Sequence, residues 1–152
     1  MTGSFKIHEK IATVFGVGYI PIAPGTFGSL AGLILCLLLH KFIVIYILTF
    51  IALFLIGIIS SGIVEKGSDT KDPSHVVIDE FACIFPVFLF VPLNIPLIVA
   101  GFILYRLMDI IKPPPIRSLE KIQGGAGIML DDLLAAIYTN LILQAIIYFY
   151  PA

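Results

Sequence analysis

Residues 42–64 run for 23 positions without a single charged side chain. As a helix rising 1.5 Å per residue, that stretch is about 34 Å long, enough to cross a bilayer with some tilt. No other feature constrains the fold so strongly, because a chain that commits one such segment to lipid must arrange the rest around a membrane. The composition agrees. Hydrophobic residues make up 59% of the 152 and charged residues 12%, where a soluble domain carries about 25% charged. Net charge is −1, and no basic cluster is interleaved with aromatics, so nucleic acid is not an expected partner.

Further apolar segments flank this span. Ser29–Leu39 is short, roughly 16 Å as a helix, and closes at His40-Lys41. Glu65–His75 reads as a solvated loop. Val76–Val91 follows, interrupted by Pro86, and Pro92–Pro96 reads as a turn. Leu97–Ile111 ends at Lys112 and three prolines. After a glycine-rich polar stretch, Ile128–Tyr150 ends in Tyr148, Phe149 and Tyr150, an aromatic cluster that suits a membrane interface. The expected fold is an all-α, polytopic helix bundle of about four to five apolar segments, forming one membrane-embedded domain over residues 1–152. Met1–Lys10 is polar, and no cleavable signal peptide is expected.

Short connections require the segments to run up and down. All charged residues except Lys41 then fall at or beyond one end of the bundle, here called the near side. Eight of the nine Lys and Arg residues lie there, which the positive-inside rule assigns to the cytoplasm.

Four groups collect on that side. Pro24-Gly25-Thr26-Phe27-Gly28-Ser29 reads as a glycine-containing loop opening a helix, where free N–H groups and a hydroxyl can receive an anion; taken alone, an ordinary helix start capped by Thr26 or Ser29 is the commoner explanation. Asp79-Glu80 sits about one turn inside an apolar segment. A carboxylate there costs at least ~2.5–3.5 kcal/mol on insertion scales and is usually functional. Arg106, Asp109 and Lys112 are three residues apart and stack along one helical face. Lys112 can snorkel to the interface, but Arg106 lies deeper and needs a partner or an anionic ligand. Gly124-Gly125-Ala126-Gly127 leads into Asp131-Asp132, with glycines that let the backbone approach closely.

Five acids (Asp79, Glu80, Asp109, Asp131, Asp132) against two cations repel one another in a low-dielectric setting unless cations bind. Mg²⁺ takes carboxylate oxygens, waters and substrate phosphate together. A carboxylate–metal centre beside Arg and Lys suits metal-assisted phosphoryl transfer or hydrolysis at the lipid headgroup level. Cys36 and Cys83 have neither disulfide nor metal-site spacing and read as buried thiols. The histidines at 8, 40 and 75 carry no supporting motif, although His75 stands four residues before Asp79. A small ion or proton transporter, or a non-catalytic membrane subunit, could use the same acids, but a transporter would place charges at several depths.

PIAPGTFGSLAG (21–32), VVIDEF (76–81), GFILYRLMDIIKPPPIR (101–117) and GGAGIMLDD (124–132), in this order, resemble the phosphatidylglycerophosphatase A family. The resemblance implies a Mg²⁺-dependent phosphomonoesterase of the bacterial inner membrane, removing the terminal phosphate of phosphatidylglycerol phosphate at the cytoplasmic leaflet. It implies Asp79, Glu80, Asp131 and Asp132 as metal ligands, with Asp109 joining them or orienting Arg106. Gly25, Thr26, Ser29, Arg106, Lys112, Gly124 and Gly125 would hold phosphate. The nucleophile, a water or one of the acids, stays open. The family's acidic motif usually continues DExxG, and Cys83 stands at that glycine here.

Overall fold

A computed structural model describes residues 3–68, 70–119 and 121–150; Glu120, in the polar stretch before the last segment, lies outside them. The described chain is helical, with no strand. Its helices are α1 (Gly3–Ala12), α2 (Pro24–Leu39), α3 (Ile43–Ser68), α4 (Ile78–Val87), α5 (Ile95–Ile111), the single turn α6 (Ile116–Leu119) and α7 (Gly125–Phe149).

Each apolar segment is a helix, with bounds that local chemistry explains. α2 starts at Pro24, whose missing N–H costs nothing in a first turn. The Gly25–Ser29 stretch is therefore helical, not the loop expected. α3 continues through Ser68, three residues beyond the start of the expected loop. At α5, the Asn94 side chain accepts a hydrogen bond of 2.9 Å from Leu97 N–H, and Pro96 occupies the first turn. Its other end stops at Lys112 in a left-handed conformation (φ 47°), with three prolines behind it. Gly124, at φ 80°, turns the chain into α7.

Among the described residues, two helices are long and apolar enough to cross a membrane, α3 and α7. Only 17% and 28% of their apolar cores is buried within the protein. A soluble core helix would be mostly covered, so these surfaces are built for lipid. α2, α4 and α5 are shorter, and the expectation of four to five spans is not met by length alone.

α4 departs furthest from expectation. The Val76–Val91 segment is helical only from Ile78 to Val87, because Pro86 removes a donor in the last turn. The backbone beyond it is irregular yet satisfied. Asn140 Nδ2 on α7 donates to the carbonyls of Val87 (2.9 Å) and Leu89 (3.0 Å), and Gln144 Nε2 donates to Leu89 and Phe90. Tyr46 O–H on α3 donates to Phe85 O at 2.6 Å. Polar side chains thus replace the water that a membrane interior lacks.

α4 sits at the centre, packed by α2, α3 and α7. Gly32 lets α2 come this close: a Cβ there would collide with the Phe81 carbonyl. Cys83 is fully buried where α4 crosses α7, its thiol 3.7 Å from Met129 O. The Cys83 thiol is thus absorbed as a small packing group. α1 lies against the near end of α3, with His8 Nδ1 3.1 Å from Ser60 Oγ, and Ala12 O accepts from Val77 N–H just ahead of α4 at 2.9 Å.

Candidate active site

The near ends of α2, α4, α5 and α7 enclose a cavity of about 310 Å³. Asp79, Glu80, Arg106, Asp109, Lys112, Asp131 and Asp132 all line it. Residues scattered over 54 positions of sequence therefore share one chamber.

The α4 N-terminus presents Asp79 and Glu80 in its first turn, where acids complement the helix dipole. α7 brings Asp132 opposite them. Carboxylate oxygens of Asp79, Glu80 and Asp132 lie within 4.8 Å of one another. Asp79 Oδ1 and Glu80 Oε2 are buried without a hydrogen-bond partner. Buried acceptors are almost always satisfied, so two orphaned carboxylate oxygens facing a third acid ask for a cation. Three hard oxygen donors at this spacing fit Mg²⁺. Asp131, the fourth expected ligand, is turned away from this trio: its Oδ2 pairs with Lys112 Nζ at 2.7 Å.

α5 supplies the positive side. Arg106 Nη1 lies 2.7 Å from Asp109 Oδ2, one turn along, and 3.6 Å from Glu80 Oε1. The same nitrogen donates to Ser29 Oγ at 3.3 Å, while Ser29 donates to Gly25 O in the preceding turn of α2. Arg106 Nε is buried with no partner. Its guanidinium is oriented by three groups and keeps a donor in reserve, which is what an anion-binding arginine needs. Gly25 lines the cavity because a Cβ there would strike Glu80 Oε1.

Four expected phosphate-binding residues do not line the cavity: Ser29, fully buried behind Arg106, and three that lie elsewhere. Thr26 is half-buried outside the cavity lining, since the helix turns it away from Gly25. Gly125 is buried where α7 crosses α3, close to Ile58 O and Ser61 Oγ, so its missing side chain serves packing. Gly124 lines a different surface depression, with Glu65 and Lys66. His75 stacks on Tyr19 with centroids 5.6 Å apart and does not line the cavity.

Two residues escape the sequence reading. Tyr105 is fully buried and its O–H donates to Asp132 Oδ2 at 2.7 Å. A tyrosine inside an apolar helix needs a partner for its hydroxyl, and that was the available signal. Asp72 reaches the cavity from the loop before α4. Nothing in KDPSH distinguishes it from a solvated acid.

The fold and the cavity together define an all-helical membrane protein with a buried oxygen-donor centre flanked by oriented cations. The chain belongs to the phosphatidylglycerophosphatase A family, whose model matches residues 10–147, and it is a phosphatase. It is 44% identical over 142 residues to the phosphatidylglycerophosphatase A of Haemophilus influenzae, covering 91% of this chain and 87% of that one. The Escherichia coli phosphatidylglycerophosphatase A is 34% identical, covering 93% and 84%. A Bacteroides thetaiotaomicron protein provisionally named a phosphatidylinositol-3-phosphatase is 35% identical, covering 88% and 89%. No solved structure matches the chain significantly.

Proposed function

We propose that this protein hydrolyses the terminal phosphate of phosphatidylglycerol phosphate, with Mg²⁺ held by Asp79, Glu80 and Asp132. The observation that carries the proposal is the pair of orphaned carboxylate oxygens beside a third acid, in one cavity with Arg106 and Lys112. When bound, Mg²⁺ would neutralise carboxylate charge and polarise the phosphate and the attacking water.

The chain's own residues do the rest. Arg106 and Lys112 hold phosphate oxygens and offset the charge that develops during transfer. Asp109 and Asp131 orient those two cations through contacts of 2.7 Å each. Tyr105 fixes the Asp132 carboxylate by donating to one of its oxygens. Water attacks phosphorus as the bond to the glycerol oxygen breaks, giving phosphatidylglycerol and inorganic phosphate.

In this reading α2, α4 and α5 complete a multi-pass bundle with α3 and α7, and the cavity opens to the cytoplasm of a bacterial inner membrane. Charge distribution supports that orientation. Transport is disfavoured because the far half offers no chain of charges: its wall contacts are apolar, as in the groove between Tyr46, Phe50, Leu133 and Ile137.

Phosphate release by detergent-purified protein, with Mg²⁺ and with EDTA, tests the reaction. Release from phosphatidylglycerol phosphate that stops with EDTA and returns with Mg²⁺ is expected. Undiminished release in EDTA refutes the metal, and faster release from phosphatidylinositol 3-phosphate reassigns the substrate. Labelling of a cysteine placed at Thr70 from outside intact cells would reverse the orientation.

A further inference from the structure

A second cavity, of about 470 Å³, adjoins the first, and Asp72 and Asp131 line both. Arg117 and Lys121 stand on its wall, exposed, and neither is held in an ion pair among the described residues. Lys71 lines it too, although it is already engaged with another group. Ile122, 40% exposed, and Ile128, at the start of α7, add apolar surface beside these charges. Apart from Asp131, none of these residues is used in the hydrolysis described above.

The pairing of cations with apolar wall favours an amphiphilic anion over inorganic phosphate, which would need polar contacts on every side. The position restricts the anion further. Because Asp72 and Asp131 line both cavities, one extended ligand can place a phosphomonoester among Arg106, Lys112 and the carboxylates and a second group here. Phosphatidylglycerol phosphate, the substrate proposed above, carries an inner phosphodiester one glycerol away from its terminal monoester, next to its acyl chains.

We infer that the second cavity is a subsite for the lipid's phosphodiester, with Arg117 and Lys121 as its anion-binding groups. The inference rests on the phosphatase reading above. It makes the headgroup a two-point ligand, the monoester at the carboxylate cavity and the diester at the outer one. The subsite would favour lipids with two separated phosphates over those, such as phosphatidic acid, with one.

The test compares wild type with Arg117→Gln/Lys121→Gln, in neutral detergent with Mg²⁺. Substrates are short-chain phosphatidylglycerol phosphate and glycerol 3-phosphate, a monoester without a diester. The subsite predicts that KM for the lipid rises about tenfold, the worth of one charge-assisted hydrogen bond, with kcat changed little. Turnover of glycerol 3-phosphate should change far less than turnover of the lipid. Calorimetric binding of short-chain phosphatidylglycerol, which keeps only the diester, should weaken in the same variant. Equal losses on both substrates, or undiminished phosphatidylglycerol binding, would overturn the subsite. So would a KM effect seen only on anionic vesicles and absent in neutral detergent, since that is attraction to a charged surface. Lys41→Gln, at the opposite end of the bundle, controls for loss of charge alone. Absence of release by wild type would instead remove the phosphatase reading, and the calorimetry would still report whether the diester binds.

Discussion

α3 and α4 are neighbours with opposite designs. α3 is 26 residues long, apolar all round and mostly uncovered. α4 has 10 residues, ends early at a proline, and is enclosed by three other helices, yet it carries Asp79 and Glu80. Lipid is a solvent that α3 can face directly, so its side chains need only be apolar. A carboxylate cannot face lipid, so α4 is walled in on every side and its short backbone is completed by Tyr46, Asn140 and Gln144. The lesson is that hydropathy finds the long helix suited to lipid, whereas the buried acids sit on a short helix whose bounds hydropathy overstates.

That contrast can be broken by substitution. The largest effect belongs to the acid trio: Asp79→Asn or Asp132→Asn should lower Mg²⁺-dependent phosphate release by about 10³-fold, the upper scale for losing one electrostatic stabiliser. Activity within tenfold of wild type would remove the trio from the reaction. Arg106→Gln should cost about 10²-fold in kcat/KM. Arg106→Lys should recover little of it, because Asp109, Glu80 and Ser29 already engage one nitrogen, Nη1, and a lysine has no second nitrogen like Nε to offer an anion; full rescue by lysine would show that charge alone matters.

Gly32→Ala tests the enclosure of α4. The new methyl would meet the Phe81 carbonyl and Ile84 Cγ2, so a loss of about 1–3 kcal/mol is expected in unfolding from mixed micelles. An unchanged unfolding midpoint would mean that α2 is free to move away. Tyr105→Phe should lower activity about tenfold by releasing the Asp132 carboxylate, with the unfolding midpoint nearly kept; an inactive or unfolded variant would make Tyr105 more than a positioning residue. The smallest effect belongs to α3. Leu55→Val, at a side chain 56% exposed, should stay within about 0.5 kcal/mol of wild type, and a larger change would reveal a partner on that face.

Much of the near side was legible from residue types and spacing. Asp79, Glu80, Arg106, Asp109, Lys112, Asp131 and Asp132 do line one cavity, because acids in apolar helices have few places to go and up-and-down topology leaves one. The glycines were read less well. Gly25 serves the site by making room for Glu80, but Gly125 serves the α3–α7 crossing, and a glycine before a helix reads the same in both cases. Nor did the sequence reveal how α4 ends, since the donors that complete it stand more than 50 residues away on α7.

From the sequence alone came the solvent and the cast: a chain this apolar, with charges at one end of each segment, can only surround a polar site at a membrane face. Tertiary structure decided the roles. Identical aspartates at 131 and 132 part ways because successive residues on a helix point about 100° apart. One meets Lys112, while the other meets Tyr105 and the α4 acids. Which carboxylate is paired with a lysine, and which is left facing other acids, depends on where α4 and α5 dock against α7, and no local pattern encodes that.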